Sequence, residues 1–143
     1  MQTLKHLLDR KGHNVISIGP DEPVLEAVRN MADRHVGALM VLDGAGRVVG
    51  VVSERDYARK VVLQGRSSHD TPVRAIMTAE VVSIPTTATV NDAMRVMTER
   101  RIRHLPVMQG ESLVGIVSIG DLVKAVIEEQ QVEIDNLQAY IRG

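Results

Sequence analysis

Cysteine is absent from this chain of 143 residues, and so are phenylalanine and tryptophan. The missing thiols exclude disulfides, thiolate zinc sites and cysteine nucleophiles, and they suit a reducing cytoplasm. With two tyrosines as the whole aromatic content, there is no platform on which single-stranded bases could stack. Neither sign of charge dominates. Seventeen Lys and Arg against eighteen Asp and Glu give a formal charge of −1, which removes the general basic footprint of a nucleic-acid binder. Apolar runs are short, as in "ALMVL" at 38–42, far below a membrane span, and "MQTLKHLLDRKG" lacks the apolar stretch of a signal peptide. The expectation is a cytoplasmic protein with neither nucleic acid nor membrane among its partners.

Signatures of catalysis are missing as well. The histidines at 6, 13, 35, 69 and 104 form no His-x-x-x-His pair and have no acidic set at metal-ligand spacing, so no metal is expected. No Gly-x-Ser-x-Gly elbow, P-loop or Gly-x-Gly-x-x-Gly fingerprint occurs, and no catalytic residue is assigned.

What the chain does contain is a duplication, the signal to seek first in any sequence. Residues 15–57 and 81–122 align: Val15 falls on Val81, Ser17 on Ser83, Val24 on Val90, Ala27 on Ala93 and Met31 on Met97. After a one-residue deletion at a turn, Gly50 meets Gly115, Ser53 meets Ser118 and Asp56 meets Asp121. Length changes at turns leave a core undisturbed.

Each copy predicts the order strand, helix, strand, strand, helix. "VISI" and "VVSI" are short β-rich runs. Val24, Ala27, Val28 and Met31, and likewise Val90, Ala93, Met94 and Met97, lie on one stripe of a helix, with Asp21 and Thr89 as the expected caps. Two strands follow, "ALMVLD" with "RVVGVVS" and "HLPVM" with "LVGIVS", joined by Gly-bearing turns. A last helix begins at each Ser-x-x-Asp. Halves near 60 residues bury little core alone, so two copies packed about a pseudo-two-fold axis are expected. Gly65, two serines and Pro72 mark the stretch between them as a linker, placing the domains at 1–70 and 71–143 with N- and C-terminal helices.

The repeated corner admits two readings. Ser53 and Ser118 can cap a helix start, and Asp56 and Asp121, three residues on, suit the first turn; this is close to a capping box. A helix start is also an anion site, and a carboxylate at its third position can accept both hydroxyls of a ribose. Capping and binding do not exclude each other.

With "AIMT" at 75–78, "RIRHLPVM" at 101–108 and the endings "GVVSERD" and "GIVSIGD", the chain resembles a pair of CBS domains, the module named after cystathionine β-synthase and called a Bateman module when paired. The resemblance covers nearly all of it, leaving the first dozen residues and the tail after Ala125. It implies an α+β fold and a non-catalytic regulatory receptor for AMP, ADP, ATP or NAD(H), bound in clefts between the repeats. A stand-alone pair in a disc-like homodimer, acting in signal transduction on an unknown effector protein, is the implied setting. In the first site the resemblance points to Val15 and Ile16 as backbone wall for adenine, to Gly37 and Ala38, to Ser53 at phosphate and to Asp56 on ribose. In the second it points to Thr78, Val82, Arg103, His104, Leu105, Pro106, Ser118 and Asp121.

The copies differ where it matters. Arg103 and His104 could add charge-assisted bonds to phosphate; Gly37 and Ala38 cannot. Arg55, matched by Gly120, could serve a second phosphate in the first site, as for ADP or NAD. Without a ligand, the alternative is a purely structural interaction module. The tail carries an amphipathic stripe of Val123, Val126, Ile127, Ile134, Leu137 and Ile141, as "TLKHLL" does with Leu4, Leu7 and Leu8. Packing within the dimer is its plainest use.

Overall fold

The computed structural model describes residues 2–142. In chain order it contains α1 (Leu4–Lys11), β1 (Ser17–Ile18), α2 (Val24–Arg34), β2 (Ala38–Leu42), β3 (Val48–Ser53) and α3 (Glu54–Tyr57), which runs on as a π-helical turn over Ala58–Val62. A 3₁₀ turn at Val73–Ala75 precedes β4 (Ile84–Pro85), α4 (Val90–Arg100), β5 (His104–Gln109), β6 (Ser112–Ser118) and α5 (Ile119–Arg142). The fold is α+β, with two three-stranded sheets ordered β1-β2-β3 and β4-β5-β6. Contacts divide it into two compact units, residues 15–82 and residues from 83 onward joined by those up to 14.

In the first unit, β1 runs parallel to β2 with Ser17 opposite Met40, and β2 runs antiparallel to β3 with Ala38 opposite Ser53. The strand expected over 15–18 is only two residues long. Gly19 and Pro20 end it, although the Ile16 carbonyl still accepts from the Met40 N–H at 3.2 Å. Helix α2 buries Val24, Ala27 and Met31, the stripe that the sequence predicts. Asp21 does not cap it. Pro23 stands at the cap position and makes no side-chain bond, while Asp21 pairs with Arg74. Proline suits this position because its fixed φ is already close to what a helix entry needs.

The stretch expected to be a linker is folded into this unit. Val73 and Ile76 are fully buried with Leu39, Val41 and Val52. Pro72 bridges Pro23, the Val24 N–H donates to the Thr71 carbonyl at 2.8 Å, and the main chain of Thr78 exchanges two bonds with Val51. Gly50 makes room for this crossing: a Cβ there would lie 2.6 Å from Met77 Sδ and 3.1 Å from the Thr78 carbonyl.

The second unit repeats the plan. Ile84 of β4 pairs with Val107 in parallel, and His104 of β5 faces Ser118 of β6. Helix α4 buries Val90, Ala93 and Met97 behind Thr89, here a true cap. Its crossing segment comes from the start of the chain. Thr3 bridges Thr89, the Val90 N–H donates to the Gln2 carbonyl at 2.9 Å, and α1 buries Leu4, Leu7 and Leu8. Leu8 sits on Gly115, where a Cβ would meet its methyls at 2.7 and 2.8 Å.

The expected boundaries at 1–70 and 71–143 are therefore not those of the contacts. Each sheet is completed by the segment that precedes the other repeat: residues 71–82 complete the first, and α1 completes the second. The reason is steric. Each matched glycine leaves a seat on the last strand, and whichever apolar side chain fills it brings its whole segment along.

Candidate functional site

The two Ser-Asp corners form where β3 and β6 end. Ser53 is extended (φ −124°, ψ 164°) and stops the strand; its Oγ accepts from the Asp56 N–H at 3.1 Å. Asp56 Oδ2 accepts in return from the Ser53 N–H and hydroxyl, both at 3.0 Å. At the second corner the Asp121 N–H donates to Ser118 Oγ at 3.1 Å, and Asp121 Oδ2 accepts from the Ser118 N–H at 2.8 Å. Both corners are complete capping boxes with aspartate in the place usually held by Glu or Gln.

A third box shows what this geometry does not establish. Thr89 and Asp92 make the same reciprocal pair at 3.0 and 3.1 Å, at the start of α4. A box alone therefore marks a helix start. The Thr89 corner is crossed by the main chain of Gln2 and Thr3. The serine corners are bordered instead by the start of a neighbouring strand. The Glu54 N–H donates to the Gly37 carbonyl at 3.0 Å, and the Ile119 N–H to the Arg103 carbonyl at 2.9 Å. Strand register sets Ala38 opposite Ser53 and His104 opposite Ser118.

Of the expected site residues, the structure thus brings Gly37, Ala38, Ser53 and Asp56 together in one unit, and Arg103, His104, Ser118 and Asp121 in the other. Arg55 lies exposed on the first turn of α3, and Arg103 is exposed beside its corner. Leu105 and Pro106 follow in β5 with their side chains buried, Leu105 completely. Val15 and Ile16 precede β1 and are half-buried. Thr78 and Val82, assigned to the second site, belong to the first repeat's unit, where Thr78 is bonded to β3. The "AIMT" run precedes the second repeat in sequence but is spent on the first sheet.

Two lysines at the corners escaped the sequence reading. Lys60 Nζ lies 3.3 Å from Asp56 Oδ1 and donates to the Ile76 carbonyl at 2.9 Å. Lys11 Nζ, at the end of α1, lies 2.6 Å from Asp121 Oδ2 and donates to the Ile116 carbonyl at 2.6 Å. Lys60 follows Asp56 by four residues, a spacing that announces a pair on one helix face. Lys11 reaches its partner only through the tertiary fold and has no local signal. The carboxylates are sheltered, at 16% exposure for Asp56 and 26% for Asp121, so these bonds form where water competes less.

At Asp121, burial pushes the carboxyl up, but the hydrogen bond from Lys11, the Ser118 N–H, the Lys11 charge and the Ser118 hydroxyl together outweigh it. The group is held below the ordinary carboxylate range. The anion is the form the corner is built around. Chemically each corner offers a carboxylate acceptor, a hydroxyl and an ammonium at the end of a strand, a set suited to a ligand bearing both a diol and an anionic group. Among the described residues no group of three or more His, Cys, Asp or Glu is placed to hold a metal ion, and no helix is long and apolar enough to cross a membrane.

A β-α-β-β-α unit written twice, each copy closing on a Ser-capped helix start that carries an aspartate, defines a tandem-repeat α+β protein. The family model of the CBS domain matches residues 6–63 and 73–128, and the chain belongs to that family. It is 43% identical over 127 residues to the "CBS domain-containing protein CBSX3, mitochondrial" of Arabidopsis thaliana, covering 86% of this chain and 62% of the relative's length. A solved structure described as a putative signal-transduction protein with CBS domains from Burkholderia ambifaria MC40-6 superposes with a TM-score of 0.86 at 45% identity, covering 90% of this chain and 96% of that one. The CBS domain pair of protein MJ0100, solved in complex with 5′-methylthioadenosine and S-adenosyl-L-methionine, shares the fold with a TM-score of 0.80 at 22% identity, over 90% of this chain and 98% of that one.

Proposed function

We propose that this chain is a non-catalytic receptor module that binds adenosine ligands of the AMP, ADP, ATP or NAD(H) class at its two Ser-Asp corners and passes occupancy on as a conformational change. The observation that carries the reading is the pairing of Asp56 with Lys60, and of Asp121 with Lys11, at the Ser-x-x-Asp corner that both repeats carry. The adenosyl compounds bound by the fold neighbour MJ0100 support an adenosine moiety as the common element. Homodimeric assembly, a cytoplasmic setting and an effector protein as recipient of the signal belong to the same proposal.

The ribose hydroxyls would donate to the aspartate. A carboxylate has about four acceptor sites on its two oxygens. Asp121 receives both Ser118 and Lys11 on Oδ2, so its Oδ1 would take the diol. Asp56 meets Lys60 through Oδ1, so the first site would share that oxygen or release the lysine toward phosphate. Arg103 and His104 in the second site, and Arg55 in the first, would add donors for further phosphate oxygens, while backbone beside Val15, Ile16 and Val82 would face the base, with Thr78 lending a hydroxyl. A bound ligand could shift a conformational equilibrium by no more than its difference in affinity for the two states.

The test is isothermal titration with AMP, ADP, ATP, NAD, NADH and S-adenosylmethionine on wild type and on Asp56→Ala, Asp121→Ala and Asp92→Ala. Bonds to a charged group are worth about 1.5–3 kcal/mol each, so losing two should weaken a site at least ~100-fold. The Asp92 variant loses a cap of the same kind and should leave every affinity unchanged. Equal behaviour of all three variants, or no binding at millimolar ligand to folded protein, would reduce the corners to caps and leave a purely structural interaction module.

A further inference from the structure

Helix α5 has two apolar faces, and only one of them is used within its own unit. Leu122 and Ala125 are buried, and Glu128 lies against α1 through an ion pair to Arg10 at 2.8 Å. At about 100° per residue, a second stripe sits roughly a third of a turn away. It comprises Val123, Ile127, Gln130, Ile134, Leu137 and Ile141, at steps of four and three. The five apolar members are between 42% and 81% exposed.

We propose that this stripe is the seam of a parallel two-stranded coiled coil between two copies of the chain. The inference rests on the homodimeric assembly proposed above and gives it a seam, while ligand binding at the corners does not enter it. Three observations carry it. The first is area: five large apolar side chains at these exposures present on the order of 500 Å² per copy, toward the upper end of the ~300–600 Å² that the largest patch of a monomer reaches, where such a patch is often functional. Two copies together reach the ~1,000 Å² that a specific interface needs. The second is length. Residues 130–142 continue α5 as a helix yet are exposed throughout, and a helix in a protein draws most of its stability from packing an apolar face, which this stretch does not do within its own unit.

The third is residue choice, which selects the partner and its direction. Ile127, Ile134 and Ile141 occupy one heptad position, called a, and Val123, Gln130 and Leu137 the other, called d. β-Branched residues at a with Leu at d favour two parallel strands. Gln130 decides between directions. In a parallel pair in register it faces its own copy, and two side-chain amides can each donate and accept. In every antiparallel register that stacks a on d it would face an isoleucine, Ile127, Ile134 or Ile141, and bury an unpaired amide, which is costly. Flanking charges agree, because Glu133 would lie against Gln138 of the other copy, with no like pair across the seam. The contact is isologous and closes as a two-fold dimer.

The natural absence of cysteine allows a direct test. Ile141→Cys places two thiols face to face at an a layer of the proposed seam, whereas Ala139→Cys places them on its outer side. Under mild oxidation, Ile141→Cys should convert almost completely to a reducible covalent dimer and Ala139→Cys should remain at the collisional background. Adding Leu137→Asp to Ile141→Cys should abolish the link while the thermal unfolding of the two sheets persists. A monomeric wild type at tens of micromolar in light scattering, or a dimer in which the Ile141→Cys variant links no better than the Ala139→Cys variant, would overturn the proposal, since the copies would then join elsewhere or run antiparallel.

Discussion

The seat of Leu8 on Gly115 can be tested by a double-mutant cycle. Gly115→Ala adds a methyl that would stand 2.7 and 2.8 Å from the two Leu8 methyl carbons, well inside the ~3.5–4.0 Å of normal carbon contact. Leu8 is fully buried and cannot swing away without moving α1, which the Leu4 N–H bond to the Ala88 carbonyl and the Thr3–Thr89 bridge hold in place. Overpacking of this kind costs about 1–3 kcal/mol. Leu8→Ala, which opens a cavity, costs about 2–5 kcal/mol. Were the two independent, the pair would cost their total. In this structure the new methyl occupies space that Leu8 vacates, so the double variant should be less destabilised than the total by about 1–3 kcal/mol, the coupling expected of residues in contact. Urea unfolding followed by far-ultraviolet circular dichroism reads this out in a chain without tryptophan. Additivity within ~0.5 kcal/mol, or a neutral Gly115→Ala, would refute the assignment of α1 to the second sheet.

Gly50→Ala with Met77→Ala should couple only in part: losing Met77 relieves the contact with its Sδ, but the Thr78 carbonyl, 3.1 Å from the new methyl and bonded to the Val51 N–H, stays in place. Thr89→Ala should cost about 1 kcal/mol as a lost cap and lower the midpoint of thermal unfolding by roughly 2–5 °C, with no effect on any ligand. The acid side of stability should depend on Asp121. Its native pKa lies below the ordinary value, so its contribution is present above about pH 4 and is lost as pH falls through the native value. Thermal midpoints of wild type and Asp121→Asn should therefore differ most near neutrality and converge in acid; a gap that widens toward low pH would reverse the sign of the argument.

How much of this could be seen in the sequence depends on what each residue encodes. Helices α2 and α4 were legible because burial writes itself as a period: Val24, Ala27 and Met31, and Val90, Ala93 and Met97, could face a core only as helices. The serine corners were legible because capping restricts residue type at fixed spacing, and the Thr89–Asp92 pair was visible by the same rule though only its threonine was recognised. The pairing of segments with sheets was not. Leu4, Leu7 and Leu8 state that one face of α1 is buried, but hydrophobic burial is non-directional and names no partner. The partner is specified on the other side of the contact, by Gly50 and Gly115, where the information is a missing side chain. A matched glycine in a strand is normally read as a bulge or a close backbone approach, and at Gly50 and Gly115 it is a seat for Met77 and for Leu8. Lys11 follows from that placement, since only α1 seated on β6 can carry an ammonium to Asp121. One of the two lysines at the candidate sites was therefore hidden for the same reason as the domain boundary: both depend on which apolar residue fills a seat that is written as an absence.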